Sequence, residues 1–187
     1  MGFTAALVGW LGGRLVRPDA FYIENFFGLA EACGAMAAGL LATRKWLPVT
    51  LLYGGFLSSF LISPFARIVP LWTLWDTYLG FLACFPAAIL LRKTTPSEAV
   101  GKVLVMTVAL ISFIAVELDA MTRIFMLAVL GLYQVYGLPN SAWGVVFIAG
   151  AVQTPIEAAY TVGLMIAIGV PALTALRKSR ILDWPVS

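Results

Sequence analysis

Three ionisable side chains, Glu117, Asp119 and Arg123, lie within the apolar stretch of residues 110–125. A charged side chain in a bilayer costs about 2.5–3.5 kcal/mol on insertion scales, so we expect each to meet an opposite charge, a ligand or a water-filled cavity. Asp119 and Arg123 are four residues apart, which suits an ion pair on one helix face. The group therefore has two interpretations, a ligand-binding site or a structural ion pair.

Two further acids, Glu31 and Asp76, lie in other apolar segments with no basic residue beside them. Aromatic side chains occur in the same predicted half of the membrane, where they form either an interfacial belt or the wall of a pocket. Aromatic rings together with carboxylates suit an organic ligand with a cationic or ring portion. The predicted substrate-binding residues are Glu31, Trp72, Trp75, Asp76, Glu117, Asp119, Arg123, Tyr133 and Trp143.

The composition of the chain is that of an integral membrane protein. Of its 187 residues, 61% are hydrophobic and 11% are charged, whereas a soluble domain carries about 25% charge. Such a chain cannot cover a water-facing surface, so we expect an all-α, polytopic membrane helical bundle that forms one domain over residues 1–187. The net charge of +3 is small and favours a lipid bilayer, not a nucleic acid, as the partner.

Several kinds of chemistry find no support in the sequence. It has no histidine and only two cysteines, so the commonest general base and the usual transition-metal ligand sets are missing. It also lacks P-loop, GxSxG, HExxH, CxxC and Rossmann motifs. We therefore expect no metal, no cofactor and no enzymatic activity.

The hydropathy pattern predicts about six transmembrane helices, since a span needs about 20 largely apolar residues. The predicted spans are residues 3–16, 26–43, 49–66, 71–91, 96–121 and 155–176. Thr95–Glu98 and Thr154–Glu157 each combine a Thr cap, a Pro and a Glu, so they predict capping boxes at the start of the last two helices. Glu157 is accordingly interpreted as a capping residue more readily than as a ligand contact, and Pro171 is expected to kink the final helix.

The segment 122–154 does not fit one simple span. It is predicted to be either a helical extension followed by a re-entrant or interfacial segment, or two further short spans.

The basic residues indicate the orientation. Eight of the 12 Lys and Arg residues fall in the predicted turn at 44–48, the loop at 92–102 and the C-terminal tail, which leaves four on the other side. The positive-inside rule places the larger group in the cytoplasm. We therefore predict a multi-pass protein of the cell membrane with both termini cytoplasmic, and with Glu31, Asp76, Glu117, Asp119 and Glu157 around one pocket open to the outside.

Small residues recur every four positions in the first two predicted spans. The first carries Ala5, Gly9 and Gly13, and the second carries a similar row from Gly34 to Ala42. Such rows let membrane helices approach closely. They predict either packing within the bundle or a docking surface for another membrane subunit.

This organisation resembles the substrate-binding S component of energy-coupling factor (ECF) transporters. The resemblance rests on the fourth-span sequence PLWTLWDTYLGFLACFPAAILLRK, on the C-terminal sequence TPIEAAYTVGLMIAIGVPALTALRK and on the small-residue face of the first helix. It implies uptake of a vitamin-like small molecule, which is captured outside and released after docking to a transmembrane coupling subunit and its ATPase subunits. By this analogy Ala5, Gly9 and Gly13 meet the coupling subunit, and residues 122–154 form part of a lid.

Two other functions are consistent with the sequence. A non-catalytic accessory subunit of another integral membrane complex would pair its outer charges internally or with its partner, and would leave no cavity. A self-contained transporter or channel would need an acid deep in the cytoplasmic half, and the predicted spans contain none there.

Overall fold

The computed structural model describes residues 28–94 and 99–178, which form helices joined by short turns. The α-helices are α1 (Gly28–Ala42), α2 (Trp46–Ile62), α3 (Trp75–Lys93), α4 (Gly101–Ala128), α5 (Asn140–Leu164) and α6 (Val170–Lys178). Short 3-10 helices cover Pro64–Arg67, Leu71–Leu74 and Leu132–Tyr136, and the π-helical turn Met165–Gly169 joins α5 to α6. Within the two described ranges there is no β-strand, so the predicted all-α class is confirmed for them.

Three helices are long and apolar enough to cross a membrane. They are Leu71–Lys93, Gly101–Ala128 and the continuous helix Asn140–Leu176. The helices α1 and α2 are apolar as well, but they have only 15 and 17 residues. The predicted count of six spans is therefore not confirmed.

The surface of α3 suits a lipid environment. Its outward face exposes the large apolar side chains Leu79, Leu82, Phe85 and Ile89. A contiguous exposed apolar surface is unfavourable in water and favourable against lipid chains. The composition and this surface both indicate a membrane protein.

The helix α4 lies at the centre of the bundle, because α1, α2, α3 and α5 all pack against it. Glycines bring two of these neighbours close. A Cβ atom at Gly34 in α1 would lie 2.8 Å from the carbonyl oxygen of Ala115, and one at Gly80 in α3 would lie 2.4 Å from the Cβ of Glu117. The row of small residues that begins at Gly34 thus contributes to packing within the bundle.

The first predicted span, residues 3–16 with Ala5, Gly9 and Gly13, lies outside the described residues. The predicted capping box at Thr95–Glu98 also lies outside them.

The predicted boundaries of α4, residues 96–121, are wrong at both ends. Ala99 and Val100 precede the helix, which begins at Gly101 with a backbone φ of 56°. The helix continues to Ala128 because the sequence contains no glycine or proline between Gly101 and Gly131 that would interrupt it.

The prediction that the last helix begins at residue 155 is also wrong. Helix α5 begins at Asn140, immediately after Pro139, and Pro155 lies inside it. Thr154–Glu157 is therefore helix interior, and the carboxylate of Glu157 accepts a hydrogen bond of 2.7 Å from the amide of Gln153. The segment 122–154 consists of the end of α4, the turn Leu132–Tyr136 and the first half of α5.

The irregularity expected at Pro171 takes the form of the π-helical turn Met165–Gly169. Pro171 has no N–H to donate to the carbonyl of the preceding helical turn, and its ring crowds that carbonyl. A π-helical turn accommodates the missing hydrogen bond and the proline ring without ending the helix.

The bundle has two chemically different ends. Successive helices run in alternate directions, so Glu31, Asp76, Asp119, Arg123 and Glu157 fall at one end, which we call the acidic end. The opposite, basic end includes Arg92, whose guanidinium lies 5.1 Å from the ring centre of Trp46.

Candidate binding site at the acidic end

Arg123 joins two acids from different helices. Its Nε lies 3.1 Å from Oδ2 of Asp119, one turn earlier in α4, and its Nη2 lies 3.6 Å from Oε1 of Glu31 in α1. The spacing of four residues thus forms the ion pair that the sequence suggested. The Arg123 and Glu31 side chains are 42% and 61% exposed, and pairs this exposed contribute about 1 kcal/mol or less.

Arg123 also lines a cavity between α3, α4 and α5. This Arg123 cavity has a volume of about 170 Å³, enough for five or six water molecules at about 30 Å³ each. Its wall includes Thr73, Asp76, Thr77, Arg123, Phe147 and Thr154. An acid and a guanidinium on one wall, with hydroxyl groups beside them, can hold a small polar molecule by charge-assisted hydrogen bonds.

Asp76 is buried at the start of α3, and only one of its two carboxylate oxygens has a hydrogen-bond partner among the described residues. Its Oδ1 accepts a hydrogen bond of 2.9 Å from the backbone N–H of Thr77, whereas Oδ2 is buried and has no hydrogen-bond partner in the described part of the chain. A buried acceptor without a partner costs about 1–3 kcal/mol, and more when it is charged. Asp76 therefore offers a free acceptor to a bound group.

Glu117 is the second buried acid, and it lies close to Asp76. Its side chain is fully buried, and neither carboxylate oxygen has a partner among the described residues. Both acids line a cavity of about 600 Å³ between α3, α4 and α5, which we call the Glu117 cavity. Gly80 makes room for Glu117, because any side chain there would collide with it and with the hydroxyl of Tyr53.

Trp75 lines the Glu117 cavity and stabilises α5 where it continues through Pro155. Pro155 has no N–H, so the carbonyl of Ala151 loses its helical partner. The indole Nε1 of Trp75 donates to that carbonyl at 3.0 Å. A neighbouring helix thus supplies the missing donor, as occurs for prolines inside membrane helices.

Tyr133 and Trp143 belong to an aromatic cluster beside the Arg123 cavity. Their ring centres lie 6.3 Å apart, edge to face, and Phe65 packs against both at 4.8 Å and 5.6 Å. Phe65 also contacts Phe147, which lines the cavity. Tyr133 and Trp143 therefore support the cavity wall through Phe65 and Phe147.

The remaining predicted residues lie elsewhere at the acidic end. Glu31 and Asp119 line a third cavity, of about 310 Å³, between α1, α4 and the end of α5. Trp72 is 60% exposed, which fits the interfacial-belt interpretation better than a pocket wall.

The expectation of a single hollow shared by Glu31 and Asp76 needs correction. In the described part of the chain these acids line different cavities, because α1 and α3 each pack against α4. Arg123 connects the two regions, since it pairs with Glu31 and lines the cavity that contains Asp76.

Sequence reasoning missed several residues of this region. Thr73, Thr77 and Thr154 line the Arg123 cavity, and a threonine in an apolar helix gives no distinctive signal. Gly80 was missed as well, although its position one turn after Asp76 could have indicated a close approach of another helix.

Comparisons with protein-family models, with curated proteins and with solved structures found no match.

Proposed function

We propose that this protein is the membrane-embedded substrate-capture subunit of an uptake transporter of the energy-coupling factor type. The observation that carries the proposal is the Arg123 cavity, where a buried carboxylate with a free oxygen and a guanidinium share one wall. A small polar molecule in this cavity would receive hydrogen bonds from Arg123 and donate one to Asp76. The surrounding apolar side chains would exclude water and strengthen both interactions.

In this proposal the acidic end faces the outside and the basic end faces the cytoplasm. The distribution of Lys and Arg supports that orientation. The turn Leu132–Tyr136 would act as part of the lid. It is flanked by Gly131 and Gly137, whose φ values of 77° and 62° are accessible to glycine and costly for other residues.

The sequence contains no nucleotide-binding motif, so the energy for release would come from partner subunits. By analogy with S components, a transmembrane coupling subunit and its ATPase subunits would supply it. The surface proposed for docking carries Ala5, Gly9 and Gly13, outside the described residues.

A second candidate function is that of a non-catalytic accessory subunit of another integral membrane complex. The network of Glu31, Asp119 and Arg123 favours it, because these charges are paired within the chain. The free oxygens of Asp76 and Glu117 and the cavities beside them favour the capture subunit.

Mass spectrometry of small molecules that copurify with the protein tests the proposal. Protein extracted in mild detergent and then denatured should release one molecule in near-stoichiometric amount. Asp76→Asn keeps the size of the side chain and removes its charge, so we expect at least a tenfold loss of the released molecule. The control Glu157→Gln, at an exposed position outside the Arg123 and Glu117 cavities, should release as much as the wild type.

Equal amounts from the wild type and Asp76→Asn would contradict the proposal, and so would the absence of any released molecule. Stoichiometric copurification of another membrane protein without a small molecule would instead support the accessory subunit.

A further inference from the structure

We infer that Asp76 and Glu117 together form a binding site for an organic cation with an N–H-bearing charged group, such as a primary ammonium. The inference rests on the proposed function and specifies the chemical class of the ligand. It assigns the charged group of the ligand to the Glu117 cavity, which lies beside the Arg123 cavity and shares Asp76 with it.

Both acids are buried, and no basic side chain of the described residues forms an ion pair with either of them. Asp76 is 4% exposed and Glu117 is fully buried, and neither takes part in an ion pair within residues 28–94 and 99–178. The two carboxyl groups are close enough to repel each other electrostatically when both are charged. In a low-dielectric interior an unpaired buried charge costs several kcal/mol, so a bound cation would be strongly favoured.

The two acids also present several hydrogen-bond acceptors that have no donor among the described residues. Three buried oxygens of this pair of acids have no hydrogen-bond partner in the described part of the chain, namely Oδ2 of Asp76 and both carboxylate oxygens of Glu117. A primary ammonium has three N–H donors, and a guanidinium or amidinium has several. Such a group can satisfy all three acceptors at once, whereas an alcohol can donate only one hydrogen bond.

The rest of the wall of the Glu117 cavity is apolar and partly aromatic. Trp75, Leu79, Phe113, Ala158 and Val162 line the cavity beside the two acids. Aromatic rings attract cations through their faces, and aliphatic side chains accommodate a hydrocarbon portion. The wall therefore suits an organic cation with an apolar part better than a hydrated metal ion.

Close packing against α3 and Tyr53 holds Glu117 in place. Gly80 leaves space for its side chain, and Tyr53 beside it donates its hydroxyl to the carbonyl of Thr77 at 2.8 Å. That hydroxyl is already engaged as a donor, so it leaves the Glu117 oxygens free for a ligand.

Calorimetric titration of the purified protein in detergent, freed of copurified ligand by extensive washing, tests the inference. The probes are 2-phenylethylammonium, the neutral 2-phenylethanol and the anion 3-phenylpropionate. We expect saturable binding of the ammonium probe, at least tenfold weaker binding of the alcohol and no binding of the anion. Glu117→Gln and Asp76→Asn should each lower the affinity for the ammonium probe at least tenfold. Glu157→Gln should leave this affinity unchanged.

A melting curve in the same detergent shows whether each variant is folded, and Glu117→Asp serves as a second variant that keeps the charge. Equal affinity for ammonium and alcohol, no saturable ammonium binding, or unaltered binding by folded Glu117→Gln would overturn the inference. Displacement of the probe by sodium chloride but not by choline chloride would also overturn it, by showing a metal-ion site. Copurification of a neutral or anionic molecule would overturn this inference alone and leave the capture function standing.

Discussion

At the scale of single residues, the chemistry of the acidic end depends on how each acid is paired. Asp119 and Glu31 share Arg123, although Oδ1 of Asp119 has no partner, whereas Asp76 and Glu117 form no ion pair in the described part of the chain and retain buried oxygens without partners. The first pair of acids contributes a structural network between α1 and α4. The second pair is costly unless a ligand or a proton satisfies it, which favours this pair over the first as part of a binding site.

Gly80 is the residue on which the position of Glu117 depends. In Gly80→Ala the new Cβ would lie 2.4 Å from the Cβ of Glu117 and 2.5 Å from the hydroxyl oxygen of Tyr53. Such overpacking should lower the free energy of unfolding by about 1–3 kcal/mol. Thermal unfolding in detergent should show a lower Tm and weaker ligand retention.

Gly39→Ala is the matched control, because a Cβ at Gly39 in α1 meets no atom within 4 Å. Alanine is also the better helix former, so this variant should keep or slightly raise the Tm. An equal loss of stability in both variants would show that Gly80 has no special contact with Glu117.

At the scale of helices, α5 shows why some boundaries could be predicted and others could not. Helix α2 ends at Ile62, before the predicted limit at residue 66, and this end has a local cause, because Ser63 before Pro64 is extended, with a ψ of 148°. Pro155 has equally plain sequence signals, a Thr before it and a Glu two residues later, and yet it lies inside a helix. The deciding donor, the indole of Trp75, is 76 residues away in the sequence, so no local pattern could reveal it.

The hydrogen bond from Trp75 should therefore couple energetically to Pro155. Trp75→Phe keeps an aromatic ring but leaves the carbonyl of Ala151 without a donor, which should cost about 1–3 kcal/mol. In the double variant Trp75→Phe/Pro155→Ala the new backbone N–H can bond that carbonyl. Unfolding in mixed detergents should show that Pro155→Ala recovers part of the loss.

The single variant Pro155→Ala completes this double-mutant cycle. If the effects of the two substitutions simply add, the indole of Trp75 does not stabilise α5 at Pro155.

At the scale of the whole molecule, composition and charge distribution were sufficient to predict an all-helical membrane protein. The residues of the acidic end could also be predicted as a group, because buried charges are rare in apolar helices. Their division among separate cavities could not be predicted, since it depends on which faces of α1 and α3 pack against α4. Glu31 and Asp76 lie at similar depths in their predicted spans, but they line different cavities.

We propose that the acidic end holds a small molecule between α3, α4 and α5. The most direct measurement is an experimental density map of the protein, purified in lipid nanodiscs without washing out bound molecules. We predict a discrete density in contact with Asp76, extending toward Glu117 or Arg123, that disappears in Asp76→Asn. Side chains that fill this space and pair with the oxygens of Asp76 and Glu117, with no additional density, would contradict the account.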